Sequence, residues 1–387
     1  MKMGELLAHG LTGSDCDELH QCKQAGKPAA QHASCQSLGS FGRIGCPGYY
    51  RLQRHGSTHL GAISVAMKRI GILTSGGDSP GMNTAVRAVV RTAVAQGLEI
   101  HGIRGGFTGL LAGDWDVLNA RDVGDILHRG GTFLHTSRCK DMLTDSGIRL
   151  ALDQIQEAKL DGIVVIGGDG SLAGAHALAG QGVPTVGIPA SIDNDIWGTD
   201  MSIGVDTALN TIMETVDKLR DTASSHQRAF LIETMGRDCG YLALMAGVVC
   251  GAEFSLIPEI DVSLEEVAAA VSAAYARGKS HSMILVAEGA SLEIHDVATY
   301  LDDLSLGYDS RITILGHVQR GGVPSAFDRF LATRLGVAAV TAMVEGSHDV
   351  MTALNGKDIE LVSLADGVGK QRPANLDFHE MTTMLAR

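Results

Sequence analysis

The sequence has few aromatic residues, few prolines and less positive than negative charge. Aromatic residues make up only 4%, and 31 basic residues stand against 44 acidic ones, which gives a net charge of −13. Proteins that bind nucleic acid use positive charge at the phosphates and aromatic side chains at the bases, so this composition disfavours a nucleic-acid partner. Only 8 prolines among 387 residues also exclude a proline-rich or collagen-like chain.

Two further absences concern the environment of the protein. No run of 18 apolar residues occurs, so no membrane span is predicted. The 7 cysteines include no C-x-x-C pair, and in a chain of this length they indicate a reducing compartment rather than a disulfide framework. We therefore expect a cytoplasmic protein with no membrane partner.

Glycine, in contrast, is abundant. The 49 glycines are about 13% of the 387 residues, against about 7% in an average protein. Glycine is needed where the backbone takes a positive φ or approaches a ligand closely. Because hydrophobic residues still make up 45%, the chain has enough apolar surface for two cores, and its length predicts two domains.

Residues 1–66 differ in character from the rest. They have no sustained helical or strand periodicity, and they contain the cysteines Cys16, Cys22, Cys35 and Cys46. A zinc module is one interpretation, but the intervals between these cysteines match no standard ligand pattern. We predict a disordered extension, or non-native upstream sequence that a start at Met67 would remove.

From Arg69 onward, short apolar runs alternate with amphipathic segments. The apolar runs predict strands at 69–74, 98–103, 161–166, 184–189, 229–233, 283–287 and 312–315. The amphipathic segments predict helices at 82–95, 206–222, 240–250, 263–277 and 326–345. This alternation is typical of an α/β fold with parallel sheets covered on both faces. Ligands of such sheets bind at the carboxyl ends of the strands, where three segments rich in glycine and aspartate fall.

The turn after the strand at 161–166 reads Gly-Gly-Asp-Gly-Ser. Gly168, Gly170 and Ala173 fit G-x-G-x-x-A, which alone would favour a dinucleotide fold. Asp169 stands inside this turn, however, where its carboxylate would repel a bare pyrophosphate, unless a magnesium ion lay between them. No G-x-x-x-x-G-K-[ST] motif occurs. We therefore favour a metal–nucleotide site over an NAD site.

Asp193 and Asp195 follow the strand at 184–189. Such a pair often marks only a turn or a helix cap. Next to a bound nucleotide, a carboxylate could instead accept the proton of an alcohol nucleophile. That reaction also needs positive charge around the transferred phosphoryl group. The candidates are Arg138, Arg228, Arg237, Arg311, His317 and Arg320. A lone arginine is usually a solvated surface charge, and His317 could equally be a core histidine.

Six segments together resemble 6-phosphofructokinase, and the resemblance runs from about residue 68 to the C-terminus. They are Thr74-Ser-Gly-Gly-Asp-Ser-Pro-Gly-Met-Asn83, Gly167-Gly-Asp-Gly-Ser171, Ser191-Ile-Asp-Asn-Asp195, Ser225-His-Gln-Arg228, Met235-Gly-Arg237 and Gly316-His-Val-Gln-Arg-Gly-Gly322. The resemblance implies phosphoryl transfer from ATP to the 1-hydroxyl of fructose 6-phosphate in glycolysis. It also implies two doubly wound, mostly parallel-sheet domains with the active site in the cleft between them. The larger, nucleotide-binding domain would comprise 67–204 plus 317–367, and the smaller, sugar-phosphate-binding domain 205–316 plus 368–387.

The resemblance also implies a role for each motif residue. Asp193 would be the general base, Asp169 would face Mg²⁺, and Asp195 would support the site. The expected catalytic residues are Asp193, Arg237, Ser191 and Asp195. The expected nucleotide-binding residues are Gly76, Arg138, Cys139, Gly168, Asp169, Gly170 and Ser171, with Gly76, Arg138 and Arg237 at the moving phosphoryl group. The expected sugar-binding residues are Ser191, Asp193, Arg228, Met235, Gly236, Arg237, Glu288, Arg311, His317 and Arg320. In bacterial members of the family, Arg228 and Arg311 would come from a neighbouring subunit, so a homo-oligomer, typically a tetramer, is implied.

The donor and the regulation are further implications. Gly170 and Ala190 favour ATP, because pyrophosphate-using relatives resemble the motif with an acidic residue and a lysine at these positions. Cys139 stands where bacterial relatives often have an aromatic residue, which bears on the nucleotide preference. An allosteric site for ADP, GDP or phosphoenolpyruvate would comprise Arg87, Arg91, Arg121, Arg220, Glu253 and Lys279. Arg87 and Arg91 share one helix face, which could also be simply solvated.

Other functions remain as alternatives. One is a pyrophosphate-dependent phosphofructokinase, and another is a different kinase with the same Gly-Gly-Asp-Gly turn, such as an NAD or lipid kinase. The arginine and histidine cluster at 311–320 disfavours the second, because those substrates need no sugar-phosphate clamp. A non-catalytic regulatory subunit is disfavoured because Asp169, Asp193 and Arg237 are all present. A dehydrogenase is the most distant alternative.

Overall fold

The computed structural model describes residues 67–386. The prediction made for residues 1–66 lies outside these residues. Within 67–386, no helix combines the length and apolar character that crossing a membrane requires.

The described residues form eleven strands and eleven α-helices. The strands are β1 (Arg69–Ser75), β2 (Glu99–Ile103), β3 (Trp115–Leu118), β4 (Gly162–Gly167), β5 (Thr185–Pro189), β6 (Arg228–Thr234), β7 (Phe254–Leu256), β8 (Ser282–Ala287), β9 (Asp309–Ile314), β10 (Val350–Asn355) and β11 (Asp358–Ser363). The helices are α1 (Met82–Ala95), α2 (Phe107–Ala112), α3 (Asp145–Glu157), α4 (Asp169–Ala179), α5 (Val205–His226), α6 (Tyr241–Cys250), α7 (Leu264–Ala276), α8 (Ile294–Asp303), α9 (Ala326–Val344), α10 (Leu364–Gly367) and α11 (Asp377–Leu385). Short 3₁₀ helices lie at Asp141–Leu143 and Gly316–Arg320.

One sheet has seven strands in the order β11-β10-β5-β4-β1-β2-β3. The five central strands run parallel, and only the edge strands β3 and β11 are antiparallel to their neighbours. Helices α1 and α9 cover one face through a buried apolar cluster that includes Val89 and Leu335. A second cluster, with Phe107 and Leu110 of α2, covers the other face. Burial on both faces explains why the central strands are continuous apolar runs.

The contact between α1 and α9 depends on a glycine. A Cβ at Gly336 of α9 would lie 2.7 Å from the Cβ of Ala88 and 3.0 Å from the carbonyl oxygen of Ala85, both on α1. Glycine at this position therefore allows the two backbones to approach closely, and a larger residue would push the helices apart.

The other sheet has four parallel strands in the order β7-β8-β6-β9. A buried cluster that includes Ile232 and Leu242 joins it to α5 and α6. Another cluster, with Val271 of α7 and Val297 of α8, lies on the opposite face. The predicted α/β class with mostly parallel sheets is thus confirmed.

The strand order brings the predicted ligand turns together. Strands β5, β4 and β1 are parallel neighbours, so the turns that follow them lie at the same edge of the seven-stranded sheet. Strands β8, β6 and β9 likewise bring together the segments that begin at residues 288, 235 and 315.

Candidate active site

A cleft of about 410 Å³ lies at the carboxyl ends of β1, β4 and β5. Its lining includes every residue predicted to bind nucleotide, namely Gly76, Arg138, Cys139, Gly168, Asp169, Gly170 and Ser171. All four predicted catalytic residues line it as well, namely Ser191, Asp193, Asp195 and Arg237. The structure therefore brings these two predicted sets into one site.

Helix α4 begins at Asp169 and opens directly onto the cleft. The free backbone N–H groups of a helix N-terminus and the helix dipole both attract phosphate. A Cβ at Gly170 would meet no atom within 4 Å, so the space beside this first turn is open. This end of the cleft is suited to a polyphosphate.

The loop that carries Arg138 is fixed to the turn after β1. Thr74 Oγ1 donates a hydrogen bond to the carbonyl oxygen of His135 at 2.7 Å. Thr136 Oγ1 donates to the carbonyl oxygen of Gly76 at 2.9 Å, and the Gly76 N–H donates to that of Ser137 at 3.2 Å. These bonds attach the loop to the glycine turn, and Arg138, the next residue, lines the cleft together with the first residues of α4.

Asp193 lies in a loop, residues 191–202, that is held together by internal hydrogen bonds. Asn194 has a φ of +54°, and its side chain donates to the carbonyl oxygen of Asp200 and accepts from the N–H of Ser202. The Ser202 hydroxyl donates in turn to the carbonyl oxygen of Ser191 at 2.6 Å. Because the buried Asn194 amide satisfies several backbone groups, this strained turn is stabilised, and it places Asp193 in the cleft.

Asp193 is only 2% exposed, and its Oδ2 lies 3.4 Å from Nε of Arg237. Its Oδ1 is buried without a hydrogen-bond partner among the described residues. Burial, and then the negative charge of Asp195, raise the pKa of Asp193 to about 6, while Arg237 and Arg320 act in the opposite direction. A carboxylate with this pKa is mostly ionised at neutral pH and more basic than an ordinary aspartate, which suits a general base.

Asp169 lies in the same electrostatic environment. Burial and the Asp195 carboxylate raise its pKa, and Arg237 lowers it. Within 67–386, no group of three or more histidine, cysteine or acidic side chains could hold a metal by itself. Mg²⁺ is typically held by one or two carboxylates together with substrate phosphates, so Asp169 near Asp195 fits this ion, whose charge would relieve their repulsion.

The second sheet supplies the opposite wall. Glu288, after β8, accepts hydrogen bonds through Oε1 from the N–H groups of Gly236 and Arg237 at 3.2 and 2.9 Å. These bonds hold Arg237 at a φ of +51°, with its guanidinium aimed at Asp193. Gln319, which is fully buried, accepts from the N–H of Met235 at 3.3 Å and so links the Met235 loop to the 3₁₀ helix that carries His317.

Arg320 follows in the same 3₁₀ helix and reaches the first sheet. It lines the cleft, and a Cβ at Gly77 would lie 2.7 Å from its Nη1. The glycine turn after β1 therefore makes room for this guanidinium.

Six predicted sugar-binding residues do not line this cleft. Met235, Gly236, Glu288 and His317 belong to the segments beside it that carry Arg237 and Arg320, whereas Arg228 and Arg311 lie farther away. Arg228 is the first residue of β6, and Arg311, on the neighbouring strand β9, pairs with Phe230. Because a strand rises about 3.3 Å per residue, Arg228 is roughly 20 Å from Met235 at the other end of β6. Neither arginine lines the cleft of its own chain.

Some cleft residues had no place in the sequence prediction. They are Phe107, Met142, Leu143, Asp78 and Lys140. Asp78 lies in the glycine-rich turn after β1, so its position in the sequence was a usable signal. The apolar side chains come from α2 and the 3₁₀ helix 141–143, and no sequence pattern marked them as facing a ligand.

The predicted effector residues form two groups. On α1, Arg91 donates to the carbonyl oxygen of Ala120 at 3.3 Å, next to Arg121, and burial followed by Arg91 lowers the pKa of Arg87. In the other group, Lys279 Nζ lies 2.8 Å from Glu253 Oε1. Arg220 belongs to the second group and donates to the carbonyl oxygen of Cys250. Among residues 67–386, no side-chain hydrogen bond or ion pair joins the two groups.

A family model described as phosphofructokinase matches residues 69–343. The chain belongs to the phosphofructokinase family. This match includes both sheets up to β9 and every residue predicted to bind nucleotide or sugar.

Individual relatives agree with this assignment. The chain is 52% identical over 321 residues to an ATP-dependent 6-phosphofructokinase of Thermotoga petrophila, covering 83% of this chain and 100% of the relative. It is 39% identical to a phosphofructokinase structure from Saccharomyces cerevisiae, with a TM-score of 0.73 over 78% of this chain, and it spans only 45% of that longer chain. A pyrophosphate-dependent phosphofructokinase of Marinobacter aquaeolei has a TM-score of 0.72 at 20% identity, over 80% of this chain and 86% of its own, which shows a shared fold.

Proposed function

We propose that this protein is an ATP-dependent 6-phosphofructokinase. It transfers the terminal phosphoryl group of ATP to the 1-hydroxyl of fructose 6-phosphate, giving fructose 1,6-bisphosphate and ADP in glycolysis. The observation that carries the proposal is that the buried Asp193 carboxylate lies 3.4 Å from Nε of Arg237, in the same cleft as the N-terminal residues of α4. This arrangement supports a base, a phosphate-binding helix end and a cation acting in one cleft.

Asp193 accepts the proton of the 1-hydroxyl as the oxygen attacks. Its pKa of about 6 leaves it mostly ionised at pH 7, and its buried Oδ1 has no partner among the described residues. A substrate hydroxyl would supply the missing hydrogen bond. The Ser191 hydroxyl oxygen accepts a hydrogen bond from the Asp193 N–H at 3.2 Å and so helps to fix the backbone of the base.

Positive groups offset the charge of the phosphoryl group in transit. Arg138 and Arg237 both line the cleft, and α4 begins at its lining residue Asp169. Such preorganised donors stabilise the transition state more than the ground state. Asp169, supported by Asp195, would hold Mg²⁺, which supplies charge neutralisation at the phosphate oxygens.

The sugar phosphate binds on the side of the second sheet. Met235, Gly236 and Glu288 face the sugar, and His317 and Arg320 hold its 6-phosphate. We further propose that Arg228 and Arg311 complete this site in a neighbouring subunit of a homo-oligomer, a tetramer. Their position at the amino-terminal side of the second sheet, remote from their own cleft, supports this assignment.

The domain division proposed from the sequence follows the two sheets. Residues 67–204 plus 317–367 contain the seven-stranded sheet, and 205–316 plus 368–387 contain the four-stranded one. In this division the first domain binds nucleotide and the second binds the sugar phosphate.

The choice of ATP is supported by two positions. The open space beside Gly170 admits the rest of a nucleotide, and Ala190 lines the cleft without adding charge. A pyrophosphate donor is the second candidate, because the Marinobacter protein shows that the same fold occurs in a pyrophosphate-dependent enzyme. Cys139, at the cleft wall, bears on which nucleotide binds best.

Regulation and localisation are the remaining parts of the proposal. Two separate groups of positive side chains, Arg87, Arg91 and Arg121 and then Arg220 and Lys279 with Glu253, suit an ADP, GDP or phosphoenolpyruvate site shared between subunits. The cysteines of the described part, Cys139, Cys239 and Cys250, are free, which is in keeping with the cytoplasm.

One assay tests the proposal. Purified protein is given fructose 6-phosphate and Mg²⁺ with either ATP or pyrophosphate, alongside Asp193→Asn. We expect activity with ATP only, and a loss of at least about a thousandfold in the variant, because the base is removed. Absence of turnover with both donors, or full activity of Asp193→Asn, would refute the mechanism.

A further inference from the structure

Residues 370–374, between α10 and α11, cross the loop that presents Asp193. The Arg372 N–H donates to the carbonyl oxygen of Asp195 at 2.8 Å. Its Nη1 donates to the carbonyl oxygen of Asp200 at 2.5 Å. The residue before it, Gln371, forms an antiparallel bridge with Ile196. The segment is therefore attached to the Asp193 loop at three points.

The same segment is attached to the loop that carries Arg237. The carbonyl oxygen of Arg372 accepts a hydrogen bond from Cys239 Sγ at 3.5 Å. Glu259 accepts from the N–H of Ala374 at 2.8 Å and from that of Gly240 at 3.0 Å. Cys239 and Gly240 follow Arg237 by two and three residues, so these bonds fix the turn from which Arg237 projects.

The Arg372 side chain acts on the strained residue beside Asp193. The Asp200 carbonyl oxygen that accepts from Arg372 also accepts from Nδ2 of Asn194, at 3.2 Å. Asn194 has a φ of +54° and is the immediate neighbour of Asp193. If Arg372 releases this carbonyl, the Asn194 amide loses a fixed partner, and the turn that aims the carboxylate is loosened.

We propose that Arg372 is a positioning residue for phosphoryl transfer, setting Asp193 against Arg237 although it does not line the cleft. The inference rests on the proposed function of that cleft. Its backbone holds both loops, and its guanidinium fixes the carbonyl on which the Asn194 turn depends. A misplacement of about 1 Å at a reacting group can cost roughly a hundredfold in rate, so a modest shift of the Asp193 turn is enough to slow the reaction.

The test compares Arg372→Met with Arg372→Lys. Methionine removes the donor to Asp200, whereas lysine keeps one. We expect kcat to fall about tenfold in Arg372→Met, with the KM for ATP and for fructose 6-phosphate changed by less than about twofold, and lysine to restore most of kcat.

Arg334→Met is the matched control. Arg334 also donates through its guanidinium to a backbone carbonyl, that of Lys357, at 2.5 Å, and it does not line the cleft. We expect this variant to keep wild-type kcat and wild-type KM values for both substrates. Thermal unfolding of all variants shows whether an effect on kcat is separate from a loss of fold.

Each outcome discriminates. If kcat of Arg372→Met stays within about twofold of the wild type, or if only KM rises, the positioning role is wrong. The same holds if Arg372→Lys is as impaired as the methionine variant. Should Arg372→Met not fold, a folded Arg372→Lys with kcat about tenfold below the wild type refutes the role instead. An inactive wild type would instead refute the proposed function, so the two failures are distinguishable.

Discussion

Replacing Arg237 by methionine should move the pH dependence of the reaction towards neutral pH. The guanidinium is the nearest cation to the Asp193 carboxylate, with Nε 3.4 Å from Oδ2. It stabilises the ionised form of Asp193 and so lowers a pKa that burial has raised to about 6. Without this charge, Asp193 holds its proton to a higher pH, and the base is available only above that pH.

The size of the change follows from the distance and the exposure. Two unit charges 3.4 Å apart interact by about 1.2 kcal/mol in a medium as polar as water, and by about 5 kcal/mol at an effective dielectric constant near 20. The Arg237 side chain is 51% exposed, so solvent screening makes the smaller figure the better guide. Since about 1.4 kcal/mol corresponds to one pH unit, the acid limb should move from near pH 6 to near pH 7.

The assay is the pH profile of kcat with saturating ATP, Mg²⁺ and fructose 6-phosphate. The maximal kcat should also fall, because we propose that Arg237 stabilises the transferred phosphoryl group, but this loss is independent of pH. Arg237→Lys keeps the charge and is the control, so its acid limb should remain close to pH 6. An acid limb of Arg237→Met that stays in place or moves to lower pH would refute the electrostatic reasoning.

Three other perturbations have outcomes that the structure specifies. Asp193→Asn should raise the free energy of unfolding at pH 7.5 by about 2 to 3 kcal/mol, measured by denaturant unfolding. The pKa of Asp193 is raised from 3.8 to about 6, so the wild type loses stability as the pH rises through 6, and the two proteins should be equally stable near pH 4. EDTA should abolish turnover and Mg²⁺ restore it, and Asp169→Asn should raise the Mg²⁺ concentration for half-maximal rate at least about fivefold; an unchanged requirement would remove Asp169 from the metal site. Gly170→Ala should keep the wild-type KM for ATP, because a Cβ there meets nothing within 4 Å, whereas Gly170→Asp should raise it at least about tenfold through repulsion of the triphosphate; equal KM values would show that this position does not face the donor.

Much of the parallel core was predictable from the sequence, because buried strands appear as apolar runs. The helix predicted at 82–95 has those bounds, and strands β1, β4, β5, β6 and β8 lie within a residue or two of the predictions. Strands β3, β10 and β11 were not predicted. Strands β3 and β11 are antiparallel edge strands with exposed positions, and β10 has Thr352 in its middle, so none of the three is a continuous apolar run. Strand β7, with three residues, is too short to have a readable period.

For the candidate site, the sequence predicted the residues of the turns but not the residues that hold those turns in place. Turn residues such as Asp169 and Asp193 were found because glycine-rich strand ends mark a ligand edge in parallel sheets. The residues that hold these turns in place from distant parts of the chain were not found, because hydrogen bonds between such parts leave no local sequence pattern. Gln319 bonds to Met235 across 84 residues, and Arg372 bonds to Asp200 across 172.

The pKa of the Asp193 carboxylate depends on residues that follow strands of both sheets. Asp193 belongs to the turn after β5, and Arg237 to the turn after β6, so their ion pair exists only while the ends of the two sheets face each other. If the sheets separate, Asp193 loses its main counterion but also gains water, and these changes have opposite effects on its pKa. Burial is the largest cause of the raised pKa, so hydration dominates, and Asp193 becomes a weaker base when the cleft opens. The proposed base and the proposed phosphoryl-stabilising cation would therefore act together only while the ends of the two sheets face each other, and separation of the sheets would disfavour proton abstraction where water could accept the phosphoryl group.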